Sequence, residues 1–160
     1  LMEGRTKDLL GQPAPQVQLK LLDGQAWRLG QHRGKHHVVL FFFASWAAPS
    51  TNDMPAILRF VDEYENRGVV FYAIDVGEDA ESVRAFVKKQ KYTHPVVVDP
   101  NQQATAAFRI TSVPVTVLIG KDGTVQAVHV GASQEERALI RADMEKLVAG
   151  NPLVKNQQEQ

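Results

Sequence analysis

The stretch that decides the fold runs Phe41-Phe-Phe-Ala-Ser-Trp-Ala-Ala-Pro-Ser-Thr-Asn-Asp-Met-Pro55. It begins inside a continuous apolar run over residues 37–44, which is typical of a central strand covered on both faces. Ser50 or Thr51 is expected to cap the helix that follows, and Asp53 would complete a capping box. Pro55 is expected to bend this helix, because it lacks a backbone donor. The stretch therefore predicts a strand, a turn and a helix.

Composition indicates one soluble globular domain. The chain has 160 residues, of which 44% are hydrophobic and 22% charged, and this is enough for a single core. Lys plus Arg and Asp plus Glu are both 18, so there is no basic excess to favour nucleic acid or a membrane surface. We divide the chain into a flexible, extended lead-in over residues 1–10, a domain over 11–150 and a frayed polar tail over 151–160.

The start of the chain bears on its location. A natural product would not begin at Leu1, so we interpret the sequence as trimmed. An export signal or a membrane anchor that once preceded it is compatible with this interpretation.

Patterning along the rest of the chain predicts an α/β fold. Alternation from Val17 to Leu21, followed by Asp23-Gly24, predicts an N-terminal hairpin. Apolar runs predict strands at residues 69–76, 96–98, 115–119 and 125–130, and helical spacing predicts helices at 78–91, 102–108 and 133–149. Strands that alternate with helices and end in a hairpin predict a central mixed β-sheet flanked by helices.

Several ordered motifs resemble the TlpA/ResA branch of the thioredoxin superfamily, whose domains are of the AhpC/TSA-redoxin type. They are the N-terminal hairpin, the turn of Trp46 and Pro49, Pro55 five positions after Ser50, and an inserted strand–helix segment around residues 69–108. The segment from Ile110 to Ile119, followed by Lys121-Asp122-Gly123, resembles the family's cis-proline loop, strand and hairpin. The resemblance covers about residues 11–150. It implies a thioredoxin-like fold, thiol–disulfide oxidoreductase ancestry and an extracytoplasmic location, periplasmic or membrane-anchored.

The resemblance places the family's attacking cysteine at Ala47 and its resolving cysteine at Ser50. A cysteine at a helix N-terminus has a stabilised thiolate, which attacks a disulfide before the second cysteine resolves the intermediate. The chain contains no cysteine. Ala47 offers a methyl group, and Ser50 offers a hydroxyl without an evident base. We therefore predict that the chain cannot carry out dithiol exchange.

Phe41 is a second departure from the family pattern. Six residues before the attacking position, thioredoxins carry a buried acid and ResA-like relatives often carry Asn. A buried carboxylate is costly and is tolerated mainly where it transfers protons. Its absence therefore indicates a site that is not tuned for redox chemistry. The missing thiols have two explanations, deliberate replacement or natural loss. Replacement more often uses one residue twice, so the mixture of Ala47 and Ser50 favours natural loss.

A binding surface remains. If the Val113–Pro114 bond is cis, as the resemblance implies, the Val113 backbone can pair with an extended peptide. Trp46, Pro49 and Pro114 would form an apolar patch beside it, although Trp46 would alternatively only pack the turn. Asp53 matches an acidic position that ResA-like proteins use near the site, and an acid in the first turn of a helix explains it equally well.

Three functions compete on this basis. The chain is a TlpA/ResA-like oxidoreductase whose cysteines were replaced, a naturally cysteine-free module that binds a peptide or protein partner at the cis-proline face, or, with less support, a peroxiredoxin relative. We expect no cofactor, since the sequence has no phosphate-binding loop, and no metal, because the five histidines show no ligand spacing. His36 and His37 are adjacent and would point to opposite faces of a strand.

Overall fold

The computed structural model describes residues 3–155 and contains a seven-stranded mixed sheet. The strands are β1 Gln18–Leu21, β2 Ala26–Arg28, β3 His37–Phe43, β4 Val69–Val76, β5 Val96–Asp99, β6 Val115–Ile119 and β7 Val125–Val130. The helices are α1 Ala48–Asp62, α2 Ala80–Gln90, α3 Gln103–Ala107 and α4 Gln134–Val148, with 3-10 turns at Glu3–Leu9 and Leu29–His32.

The strand order is β2-β1-β5-β4-β3-β6-β7. Strands β3, β4 and β5 are parallel to one another, whereas β6 runs antiparallel to β3. The carboxyl ends of three strands and the amino end of β6 therefore meet at one edge of the sheet. The predicted α/β, thioredoxin-like fold is confirmed, including its N-terminal hairpin and the inserted strand–helix segment.

Both faces of the central strand are covered. Successive side chains of a strand point to opposite faces, so Phe41 and Phe43 face the layer of α1 and α4, while Phe42 faces the layer of Trp27 and Phe108. These five side chains are all at most 1% exposed. Complete burial of a side chain of this kind contributes about 1.5–3 kcal/mol, which makes β3 the centre of the core.

Helix α1 begins earlier than predicted. Its first residue is Ala48 and its N-cap is Ala47, which makes no side-chain capping bond. The predicted cap at Ser50 or Thr51 is therefore wrong. Pro49 suits the first turn because its fixed φ matches the helix and its missing N–H would have no partner there. The last helix, by contrast, begins with a side-chain cap, since Ser133 Oγ accepts a hydrogen bond from the Glu136 N–H at 3.2 Å.

The N-terminal segment was predicted to be extended, and it is not. Residues Glu3–Leu9 form a 3-10 helix, and Leu9 is buried. Thr6 Oγ1 donates to the Arg109 carbonyl at 2.8 Å, and Gly11 N–H donates to the Val125 carbonyl at 2.9 Å. Burial of Leu9 and these bonds attach the N-terminal segment to the loop that follows α3 and to the start of β7.

The tail is also more ordered than predicted, as far as residue 155. Gln126 Oε1 accepts hydrogen bonds from the N–H groups of Leu153 at 2.7 Å and Val154 at 3.2 Å. Leu153 packs against the core. Residues 156–160 of the predicted tail lie outside the described residues. Over residues 3–155, no helix has both the length and the apolar character needed to cross a membrane.

Candidate functional site

The sheet register brings the predicted site residues to one edge. Phe42 on β3 pairs with Val115 on β6, so the turn that follows β3 lies beside the loop that precedes β6. The first carries Trp46 and Ala47, and the second carries Val113 and Pro114. A turn and a loop distant in sequence thus become neighbours, at the edge where open α/β sheets commonly place their sites.

The two positions of the family's cysteines lie at the start of α1. Ala47 is the N-cap and is 8% exposed, whereas Ser50 is fully buried. Ser50 Oγ lies 2.8 Å from the Ala47 carbonyl and 2.9 Å from the Ala44 carbonyl, to which it can donate, and it accepts from the Ala44 N–H at 3.3 Å. The hydroxyl is thus occupied by backbone groups, and no base among residues 3–155 contacts it. Ser50 stabilises the turn and is not an activated nucleophile.

Trp46 is the most exposed large hydrophobic residue of the described chain. Its side chain is 74% exposed, and Pro49 beside it is exposed as well. Pro114 is buried, so the predicted patch of Trp46, Pro49 and Pro114 is wrong in its third member. The reason is that Pro114 adjoins β6, with its carbonyl accepting from the Gly131 N–H at 2.8 Å. Half-buried Val113 takes its place at the surface.

The Val113–Pro114 peptide bond is cis, as the resemblance implies. Within residues 3–155, neither the N–H nor the carbonyl of Val113 forms a hydrogen bond. Backbone polar groups in folded chains are nearly always paired with protein or water. An extended peptide can therefore pair with this residue without displacing a bond of the protein.

Asp53 has a partner of its own. Its Oδ1 lies 3.5 Å from Arg137 Nη1, and this ion pair joins α1 to α4. Arg137 Nη1 also donates to the Ala132 carbonyl at 2.7 Å. Asp53 lies in the second turn of α1, and the first turn holds no acid, so the helix-dipole explanation does not apply. Its role as a modulator of the site stays a prediction.

Sequence reasoning missed a carboxyl pair under the turn. Asp75, at the end of β4, pairs in register with Phe43 and is fully buried. Burial first, and the nearby Glu78 second, raise the pKa of Asp75 from 3.8 to about 9. Burial acts to raise the pKa of Glu78, but contact with Asp75 and hydrogen bonds from Ser45 lower it overall. Asp75 therefore carries a proton at neutral pH, and Glu78 carries the charge.

A signal for this pair was present in the sequence. Asp75 interrupts the otherwise apolar strand of residues 69–76, and Gly77-Glu78 follows at once. An acid within a buried apolar run indicates a specific role, since its desolvation is costly. The sequence could not show that it lies beneath the turn of β3, because that depends on strand pairing.

The histidines are engaged in local contacts. His129 lies between two carboxylates, with Nδ1 3.0 Å from Glu136 and Nε2 2.7 Å from Asp143. His32 Nε2 lies 2.8 Å from the Tyr72 hydroxyl. In the part of the chain that the structure describes, no three His, Asp or Glu side chains converge to hold a metal ion.

Similarity to known proteins agrees with this geometry. The AhpC/TSA family profile matches residues 10–128. The chain belongs to the AhpC/TSA family. It is 33% identical over 132 residues to the thiol-disulfide oxidoreductase ResA of Geobacillus kaustophilus (strain HTA426), a match that covers 82% of this chain and 75% of that relative.

Two further matches extend the comparison. The chain is 31% identical over 137 residues to the thioredoxin-like protein YneN of Bacillus subtilis (strain 168), covering 84% of this chain and 79% of that one. The crystal structure of a thiol:disulfide interchange protein of the thioredoxin family from Chlorobium tepidum TLS has a TM-score of 0.69. Identity there is 26%, covering 87% of this chain and 94% of the other. The chain is a TlpA/ResA-like member of the thioredoxin superfamily, within a family of thiol–disulfide oxidoreductases.

Proposed function

We propose that this chain is a cysteine-free, redox-inactive member of its family that binds an extended segment of a partner protein. The binding surface is the Trp46 face, which we define as the side chains of Trp46 and Pro49 with the backbone of Val113. The observation that carries the proposal is the unpaired Val113 backbone at the same sheet edge as an exposed tryptophan.

The chemistry of the site supports binding over turnover. Thiol–disulfide exchange needs a thiolate to attack and a second sulfur to resolve the intermediate, and the chain has no cysteine. The hydroxyl of Ser50 is buried and held by the carbonyls of Ala44 and Ala47. No side chain of the Trp46 face supplies a replacement nucleophile.

Two contributions to binding free energy favour an extended peptide as the ligand of this surface. Backbone pairing at Val113 would bind an extended segment with little dependence on its sequence, as in other strand-addition modes. Trp46 would add an apolar anchor, and tryptophan is enriched among the residues that dominate binding energy. Burying most of its exposed side chain would contribute roughly 1.5–3 kcal/mol.

A phage-displayed library of random linear peptides is the probe for this proposal. A selected peptide, synthesised with a fluorophore, gives affinities by fluorescence anisotropy. Trp46→Ala should weaken binding about tenfold or more, the equivalent of about 1.4 kcal/mol. Leu139→Ala is the matched control, because Leu139 is another exposed apolar side chain, 55% exposed on α4.

The backbone contribution needs its own pair of variants. Val113→Pro removes the N–H, whereas Val113→Ala shortens the side chain and keeps the N–H. We expect the first to weaken binding more than the second, with circular dichroism confirming that both fold. Unchanged affinity in both Trp46→Ala and Val113→Pro would show that the peptide binds elsewhere and that the proposal is wrong.

Family membership supports a second candidate, an oxidoreductase whose cysteines were replaced. Positions 47 and 50 still lie three residues apart at the start of α1, the spacing of a helix N-terminal cysteine pair. The gene sequence that encodes positions 47–50 decides between replacement and natural loss. Cysteine codons there would support the oxidoreductase, and alanine and serine codons would support the binding module.

We propose an extracytoplasmic location for the protein, on the basis of its resemblance to the TlpA/ResA family. The test is fractionation of the source cells with an antibody to this domain. Recovery in the cytosolic fraction alone would contradict it.

A further inference from the structure

The Glu78 side chain is hydrogen-bonded to the turn that carries Trp46. One carboxylate oxygen accepts from the Ser45 N–H at 2.7 Å, and the other accepts from the Ser45 hydroxyl at 2.5 Å. Two bonds to one carboxylate fix both the position and the rotation of Ser45, and bonds to an ionised acceptor are the strong ones. Trp46 is the next residue and has no hydrogen bond of its own within residues 3–155.

Asp75 is the buried acid nearest to Glu78 in the electrostatics of the pair. It is fully buried, and neither of its oxygens has a conventional hydrogen-bond donor among the described residues. An ionised group there would be costly, so the side chain keeps its proton, and the Glu78 carboxylate beside it is the available acceptor. The two acids therefore share one proton and one negative charge.

The other acids at the ends of neighbouring helices and strands have partners of their own. Asp79 accepts from the Ser82 N–H at 2.8 Å as the N-cap of α2. On α1, Asp53 is paired with Arg137 of α4. On β5, Asp99 accepts from the Thr105 N–H and hydroxyl at the start of α3. Among residues 3–155, no Lys, Arg or His forms an ion pair with either member of the acid pair.

We propose that the Glu78 carboxylate, with the fully buried Asp75 side chain beside it, holds Ser45 and thereby sets the conformation in which Trp46 meets the partner. The proposal rests on the proposed function of the Trp46 face. Asp75 and Glu78 are positioning residues, since neither is part of that face. Asp75 is a costly residue for a merely structural site, where an apolar side chain would pack more favourably.

The first test needs no partner. Labelling with 5-fluorotryptophan gives two resonances, from Trp27 and Trp46, and Trp46→Phe assigns them. Glu78→Ala should move or broaden the Trp46 resonance and leave that of buried Trp27 unchanged. Glu65→Ala, which removes an exposed carboxylate beyond the far end of α1, is the matched control and should change neither.

The pH profile separates positioning from simple packing. In the wild type the Trp46 resonance should move as Asp75 loses its proton near pH 9. Asp75→Asn keeps a neutral side chain that can donate to Glu78, so it should match the wild type at pH 7 and lose this transition. A transition that persists in Asp75→Asn, or a Trp46 resonance unaffected by Glu78→Ala, would overturn the proposal.

The second test measures the selected peptide at pH 7. Glu78→Ala should weaken binding about three- to tenfold, because the peptide must then order a turn that the two bonds to Ser45 already hold in the wild type. Asp75→Asn should bind like the wild type. If Glu78→Ala does not fold, Ser45→Ala removes one of the two bonds and should give a smaller loss in the same direction.

The outcomes distinguish this proposal from the function on which it rests. Peptide binding that depends on Trp46 but not on Glu78 or Ser45 overturns the positioning role alone. Peptide binding that is indifferent to Trp46 contradicts the proposed function, while the fluorine spectra still report whether Glu78 orders the turn.

Discussion

Replacing Asp75 with Asn should stabilise this protein, and increasingly so as the pH rises. Asp75 is fully buried, and its pKa is raised from 3.8 to about 9 by burial and by Glu78. In the unfolded chain the carboxyl ionises near its ordinary value. Between these two values folding must take up a proton, so the stability of the wild type falls as the pH rises.

The magnitude follows from the size of the shift. Each pH unit in this window costs about 1.4 kcal/mol. The accumulated cost is about 2 kcal/mol at pH 5 and about 4 kcal/mol at pH 7, measured from the ordinary pKa of 3.8. Water entry and local relaxation around the carboxylate reduce both figures. Asparagine does not titrate and avoids this cost, while its amide can still donate to Glu78.

Urea denaturation at several values between pH 5 and pH 9, followed by circular dichroism, measures the effect. The difference in unfolding free energy between Asp75→Asn and the wild type should grow with pH and level off above about pH 9. Glu65→Gln, an exposed acid, should follow the wild type throughout. An Asp75→Asn variant that is no more stable at pH 7, with a pH slope parallel to the wild type, would refute the reasoning.

Three further predictions concern the start of α1. Ser50→Ala should lower stability by about 1–3 kcal/mol in urea denaturation, because the Ala44 and Ala47 carbonyls lose a donor in a buried site; an unchanged midpoint would contradict the structural role of this hydroxyl. Ala47→Cys should have a thiol pKa below about 8.5, seen as iodoacetamide reactivity at lower pH than for Gln90→Cys at the C-terminal end of α2; equal profiles would show no helix effect. The present chain should reduce insulin with dithiothreitol no faster than buffer, and the Ala47→Cys/Ser50→Cys double variant should exceed it; turnover by the unsubstituted chain would disprove the claim of redox inactivity.

Much of the fold was open to prediction because its strands are marked by local signals. The strand at residues 69–76 was predicted with the bounds that the structure shows, since a short run rich in β-branched and aromatic residues, with a glycine on either side, favours a buried strand over a helix. The start of α1 was not, because Ser50 has two options. It can cap the helix, or it can turn inward to bond the carbonyls of Ala44 and Ala47, and the choice depends on the space beneath it.

The site divides in the same way. The sequence alone shows that cysteine is absent, and it shows where Trp46 and the Val113–Pro114 loop occur. The chemistry of these positions follows from residue type. The buried state of Pro114 and the acid pair beneath the turn were missed. Both depend on which strands lie beside β3, namely β6 on one side and β4 on the other.

The sequence was enough to predict an α/β domain, to show that its motifs resemble the thioredoxin superfamily, and to show that it lacks the cysteines that the chemistry of its relatives requires. Periodicity and side-chain identity are local properties, and both can be read without coordinates. Only the tertiary structure decided that the Asp75 side chain is buried near the turn of Ser45. It also decided that Trp46 stays exposed at the same end of the sheet as the unpaired backbone of Val113. Burial and strand neighbours result from the whole chain folding together, so the electrostatics of this site arise only in the assembled sheet.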